Sequence, residues 1–162
     1  REHPVAIRVP VGVTLPATRP VPTDYSALNT YEVVERGKDV AILALGNFFS
    51  LGERVCRLLE AHGIRATLIN PRYISGVDCD LLNSLATDHR LVVTLEDGAL
   101  NGGFGEKIAR HFGATGVKTL CYGAKKQFAD RYAPKEFLAA NRLVDTMIVE
   151  DIMKHSQGKL ER

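Results

Sequence analysis

No apolar run in this 162-residue sequence approaches the roughly 18–20 residues needed to cross a bilayer. Nor does the opening Arg1-Glu2-His3-Pro4 lead into the apolar segment of a secretory signal. A cytoplasmic protein with no membrane partner is expected. Cysteine is scarce: Cys56, Cys79 and Cys121 are widely spaced, odd in number and outside any C-x-x-C or C-x-x-H pair. All three are expected to be reduced and mostly buried, with neither a metal nor a redox role. The five histidines (His3, His62, His89, His111 and His155) never pair at i,i+4 around a carboxylate, which excludes a zincin-type site. His62 and His111 instead fall near predicted helix C-termini, where an imidazolium is favoured by the dipole. Ser50 and Ser75 lack the G-x-S-x-G elbow of a hydrolase. An excess of one charge is missing too. With 21 basic and 19 acidic residues interspersed, the chain has no basic stripe, and no nucleic-acid partner is expected.

What is present is an ordinary globular composition, 45% apolar and 25% charged. A chain of this length can bury roughly 68–70% of its unfolded surface in one core. Proline marks the first boundary. Pro10, Pro16, Pro20 and Pro22 are too dense for a helix or a central strand, so the stretch after the strand-like His3-Pro4-Val5-Ala6-Ile7-Arg8 reads as a linker.

From Tyr31 onward, apolar runs alternate with amphipathic segments. Tyr31 to Glu35, Val40 to Leu45, Arg65 to Ile69, Leu91 to Leu95 and Val117 to Tyr122 read as strands. The first two are close enough for a hairpin, which makes the first strand antiparallel. Phe48 to Leu59 has helical spacing up to the His62-Gly63 stop, Asp80 to Asp88 forms a short helix, and Phe104, Ile108, Ala109 and Phe112 form one face of another helix. Pro134 opens a helix through Ala140, and Val144, Met147, Ile148 and Ile152 line a final one before a frayed tail from Ser156. The fold class is α/β: a three-layer α/β/α architecture with a mostly parallel five-stranded sheet and one antiparallel edge strand.

In such sheets ligands gather at the carboxyl edge, which directs attention to two loops. Glu96-Asp97-Gly98-Ala99-Leu100-Asn101-Gly102-Gly103-Phe104-Gly105 sets glycines and two carboxylates at a helix start. It is neither a Walker A loop nor G-x-G-x-x-G. Two readings stand open: backbone amides free to bind a phosphate, or tight helix-to-strand packing with Glu96 or Asp97 capping those amides. Arg72, just past the strand ending near Asn70, offers a bidentate fork to a phosphate or carboxylate; alternatively it pairs with Asp78 or Glu96 and only orders the loop. Arg8 faces either ligand or solvent, and Lys125 and Lys126 form a solvated basic tip.

Taken together, Tyr31 to Gly46, the Leu68 to Asp78 segment with Arg72, and Val92 to Glu96 running into Gly102-Gly103-Phe104-Gly105 resemble the C-terminal domain of the transketolase family, most closely its 1-deoxy-D-xylulose-5-phosphate synthase branch. The resemblance covers nearly the whole chain. It implies that residues 1–30 hold the last strand of a preceding pyrimidine-binding domain plus the interdomain linker, and that residues 31–162 form the C-terminal domain. It further implies a homodimeric parent that uses thiamine diphosphate and Mg²⁺ to condense pyruvate with glyceraldehyde 3-phosphate, releasing CO₂. In that family the Gly-Asp-Gly motif and the catalytic glutamate lie in upstream domains. Asp97-Gly98 is the only Asp-Gly here and is not preceded by glycine, so neither cofactor is expected on this piece, which is expected to be inactive alone. Arg72 matches the family arginine thought to hold the sugar phosphate, in a segment that reads Arg72-Tyr73-Ile74-Ser75-Gly76-Val77-Asp78 without the family's lysine and proline. Arg8 matches the arginine before the family's Tyr-Pro-Arg-Gly, which reads Val9-Pro10-Val11-Gly12 here. The upstream domains of the same polypeptide are the expected partners.

Overall fold

The computed structural model describes residues 23–128 and 133–157, together with Pro4, Ala6 and Pro20. Most of the expected strand His3 to Arg8 and of the proline linker, and the tail beyond Gln157, lie outside the described residues. The elements are β1 (Glu32–Glu35), β2 (Asp39–Ala44), α1 (Phe49–Ala61), β3 (Thr67–Asn70), α2 (Cys79–Asp88), β4 (His89–Ala99), α3 (Phe104–Phe112), β5 (Lys118–Ala124), α4 (Pro134–Ala140) and α5 (Asp145–Gln157). Among the described residues no helix is long and apolar enough to cross a membrane.

The five strands lie in the order β1-β3-β2-β4-β5, and every pairing is parallel except β1 with β3. The edge strand is antiparallel as expected, but its partner is β3 and not β2, so the expected hairpin does not form. Both edges of β2 are taken by parallel neighbours, β3 and β4. The connector from β1 is instead tied to the start of β3: Gly37 N–H donates to Thr67 Oγ1 (2.9 Å) and Lys38 N–H to Arg65 O (3.0 Å).

Strand periodicity divides the core into two layers. Val40, Ile42 and Ala44 face one side, against Val55 and Leu59 of α1 and Ile148 and Ile152 of α5. Ala41 and Leu43 face the other, against Leu82 and Leu85 of α2 and Phe104, Ile108 and Phe112 of α3. The β2–α1–β3 and β3–α2–β4 crossovers therefore run on opposite faces, and the chain reverses its direction across the sheet between β2 and β4. β4 runs past the apolar core of the sequence pattern to Ala99, still paired with β5 at Ala124.

Cys56 is buried and Cys121 half-buried, but Cys79 is exposed, contrary to expectation, because it is the first helical residue of α2 beyond the Asp78 cap. Burial, aided by nearby Glu35 and Glu53, pushes the Cys56 thiol up to about 12; burial also raises Cys121. His62 caps the end of α1, and His111 in the last turn of α3 meets Asn83 Oδ1 at 3.1 Å.

Asp151 holds α5 to the sheet. Its carboxylate accepts from the Tyr122 hydroxyl (3.0 Å) and from Arg142 Nε and Nη2 (2.9 and 2.8 Å). Partial burial raises its pKa, but the Arg142 and Tyr122 bonds outweigh that and hold it below the usual 3.8. A depressed folded-state pKa stabilises above the unfolded value, and that stabilisation is lost as pH falls through the folded one. Acid titration followed by circular dichroism should therefore show Asp151→Asn losing stability mainly above about pH 4 and converging on the unaltered chain below it. Equal losses at pH 7 and pH 2 would exclude this linkage.

Candidate functional site

The reversal between β2 and β4 opens a crevice at the carboxyl edge, the place where doubly wound sheets take ligands. Here protein fills it. Leu45 N–H donates to Leu95 O (2.9 Å), and Asn47 Nδ2 reaches across to Asp97 Oδ2 (3.2 Å). Glu96, 3% exposed, turns its carboxylate onto the start of α3, accepting from Phe104 N–H and Gly105 N–H, each at 2.8 Å. This decides between the two readings of the glycine loop: the amides that could bind a phosphate are capped by an internal carboxylate. Asp97 does not take part in the cap. The loop glycines permit the close approach. A Cβ on Gly103 would fall 2.6 Å from Ala99 O and 2.7 Å from Glu96 Oε1, and Gly102 has a left-handed φ of +73° while its N–H donates to Glu106 Oε2 (2.8 Å). Asn101 is exposed in the turn.

Arg72 follows buried Pro71 at the end of β3 and itself adopts φ +62°, fixed by a bond from its N–H to Asn70 Oδ1 (3.2 Å). Neither of the alternative ion pairs, with Asp78 or with Glu96, forms. Asp78 instead caps α2, accepting from Leu81 N–H (3.0 Å), and its second oxygen accepts from Tyr31 N–H (2.9 Å). Glu96 is occupied as described. The Arg72 guanidinium lies over the Tyr25 ring at 4.6 Å and near that of Tyr73 at 5.9 Å, with Nη2 donating to Asp24 O (3.4 Å). Cation–π stacking fixes the plane of the fork. Its remaining N–H groups have no carboxylate partner among the described residues, so a half-buried, oriented guanidinium is available to an anion. Arg8 lies outside the described residues.

The clamp on Arg72 was not legible in the sequence. Asp24 and Tyr25 come from the stretch read as linker, which is stitched to the 71–78 loop by Tyr73 Oη to Tyr25 O (3.0 Å) and Ser75 Oγ to Asn29 Oδ1 (2.8 Å). Lys107 Nζ, from α3, donates to Ile74 O (2.7 Å) and joins this loop to the helix that Glu96 caps. The signal available for Asp78 was its position before Cys79-Asp80-Leu81, the spacing of a helix N-cap. Tyr25, Leu28 and Ile74, on the two segments stitched together here, are exposed apolar side chains.

A family model for the C-terminal domain of transketolase matches residues 29–155. The chain belongs to the transketolase C-terminal domain family. A 1-deoxy-D-xylulose-5-phosphate synthase from Gloeothece citriformis is 34% identical over 76% of the chain, and one from a Synechococcus species is 33% identical over 98%. The chain spans 20% and 25% of those two relatives' lengths. Among solved structures, a split-gene transketolase in an inactive β4 tetramer superposes with a TM-score of 0.71 at 27% identity, covering 78% of this chain and 42% of that one. A Pichia stipitis transketolase variant, at 15% identity and a TM-score of 0.56, shares the fold. The mixed sheet with one antiparallel edge is thus that of a transketolase C-terminal domain.

Proposed function

We propose that this chain is the C-terminal domain of a thiamine-diphosphate-dependent transferase of the 1-deoxy-D-xylulose-5-phosphate synthase type. The parent would join pyruvate to glyceraldehyde 3-phosphate with loss of CO₂, supplying isoprenoid and thiamine precursors in the cytoplasm as a homodimer. Residues 1–30 would be the end of the preceding domain and its linker. The carrying observation is agreement over 76% and 98% of the chain with two synthases that are each about four times its length. Among the described residues no three His, Cys, Asp or Glu side chains gather to hold a metal ion, and Glu96 closes the one glycine-rich helix start. These residues do not fit a magnesium diphosphate, and no chemical step is assigned to them.

The domain's own part is twofold. The exposed apolar side chains of Tyr25, Leu28 and Ile74 suit packing against the rest of the polypeptide or its dimer mate. Arg72, stacked and short of acceptors, is suited to the acceptor's phosphate. In the full-length enzyme Arg72→Ala should raise KM for the phosphosugar roughly tenfold or more, with kcat little changed, as expected for losing a charge-assisted bond of about 1.5–3 kcal/mol. An unchanged KM returns Arg72 to ordering its loop. The 162-residue chain alone, given pyruvate, glyceraldehyde 3-phosphate, thiamine diphosphate and Mg²⁺, should show no turnover; measurable product refutes the division of labour.

The resemblance to a split-gene transketolase favours a second reading, in which the chain is part of a separately encoded subunit of a split transketolase or of an E1 β type. The coding sequence upstream of Arg1 separates the two: a continuous frame into a cofactor-binding domain supports the first.

A further inference from the structure

With the carboxyl-edge crevice filled, the open concavity lies at the opposite, amino edge of the sheet. It has a volume of about 910 Å³, within the range of small-molecule sites. Its rim carries Arg36, Lys38, Arg65 and Lys118, all exposed and none in an ion pair among the described residues. Asp39 is the sole carboxylate among the lining residues, and Arg90 neutralises it, donating from Nε and Nη2 at 2.9 Å each. Val40, Ile64 and Leu91 form an apolar floor.

Helix C-termini oppose anion binding here. α1 leads into Gly63-Ile64, α3 leads into Gly116 and the last turn of α5 brings His155, each helix end contributing about half a negative charge. Four unpaired unit cations exceed that sum. From Arg65, two residues before β3, to Lys118 at the start of β5, the cavity crosses the ends of β3, β2, β4 and β5, a span of about 14 Å at the usual strand spacing. That length suits a phosphorylated molecule with an apolar or planar body better than a bare inorganic anion.

We propose that this amino-edge cavity is a binding site for a nucleotide-class phosphorylated ligand, its phosphates on the Arg36, Lys38, Arg65 and Lys118 rim and its body on the apolar floor. The site is separate from Arg72 and does not depend on the parent's reaction. It is tested by calorimetric titration of the full 162-residue chain with ADP at low salt. Saturable binding is expected, displaced by pyrophosphate, not by adenosine, and weakened as salt rises. The Arg65→Ala/Lys118→Ala double variant should bind at least about tenfold more weakly while melting like the unaltered chain, and Lys126→Ala, at the other edge, should bind normally. No heat with ADP up to about 5 mM, or binding unaffected by the double variant, overturns the proposal. So does binding of a deca-glutamate peptide without binding of ADP, which would make the rim a surface for an acidic protein segment.

Discussion

Glu96→Ala is expected to lower stability by about 3–5 kcal/mol, because it strips the buried amides of Phe104 and Gly105 of the charged acceptor they share. For a chain of this size that corresponds to a fall in Tm of about 8–15 °C. Glu96→Gln should lie between, since one carboxamide oxygen can still accept while its NH₂ faces a donor. The measurement is thermal unfolding by circular dichroism. A change of less than about 2 °C for Glu96→Ala would mean that α3 does not need its internal cap. Loss of the cap should also loosen the Lys107 bond to Ile74 O and with it the loop that carries Arg72.

Gly37→Ala has the second large expected effect. A Cβ there would overlap the carbonyl oxygen of Arg65 and lie 2.5 Å from the Ala66 carbonyl carbon, both of them backbone atoms that no rotamer change can move. The connector would have to lift away, breaking the bonds from Gly37 N–H to Thr67 Oγ1 and from Lys38 N–H to Arg65 O. Thr67 Oγ1 also meets His89 Nε2 at 2.8 Å, and His89 Nδ1 meets Asp88 at 2.6 Å, so the disturbance reaches the start of β4. A loss of about 3 kcal/mol is expected in urea unfolding. Gly116→Ala is the control: a Cβ there meets nothing within 4 Å, and its cost should stay within about 0.5 kcal/mol. Equal effects at the two positions would refute the close approach at Gly37.

Both variants concern bonds between residues far apart in the chain, and this is where reading the sequence reaches its limit. The alternation of Val40 to Leu45, Leu91 to Leu95 and the helical faces between them determines a doubly wound sheet, because apolar periodicity is a local property of consecutive residues. Pro134 at the first turn of α4 and the stop after α1 at Gly63, φ +78°, are local in the same way. The resemblance to the transketolase C-terminal domain rests on residues in order, and the sequence carries that too.

Partner choice is not local. Whether β1 pairs with β2 or β3 depends on which edges the crossovers leave free. Whether Glu96 or a ligand caps α3 depends on a carboxylate eight residues away meeting two amides at 2.8 Å. Whether Arg72 pairs with Asp78 or stacks on Tyr25 depends on a stretch 48 residues upstream being folded back onto its loop. The amino-edge cations come from three separate stretches, the β1–β2 connector, the approach to β3 and the start of β5, dispersed in a chain of net charge +2 and brought together only when the strand ends align. The sequence by itself determined which segments are strands and helices and to which family the chain belongs. Tertiary structure alone decided which polar groups satisfy one another and which are left for a ligand, because a hydrogen bond needs its partners within about 3 Å, and only the folded chain sets that distance.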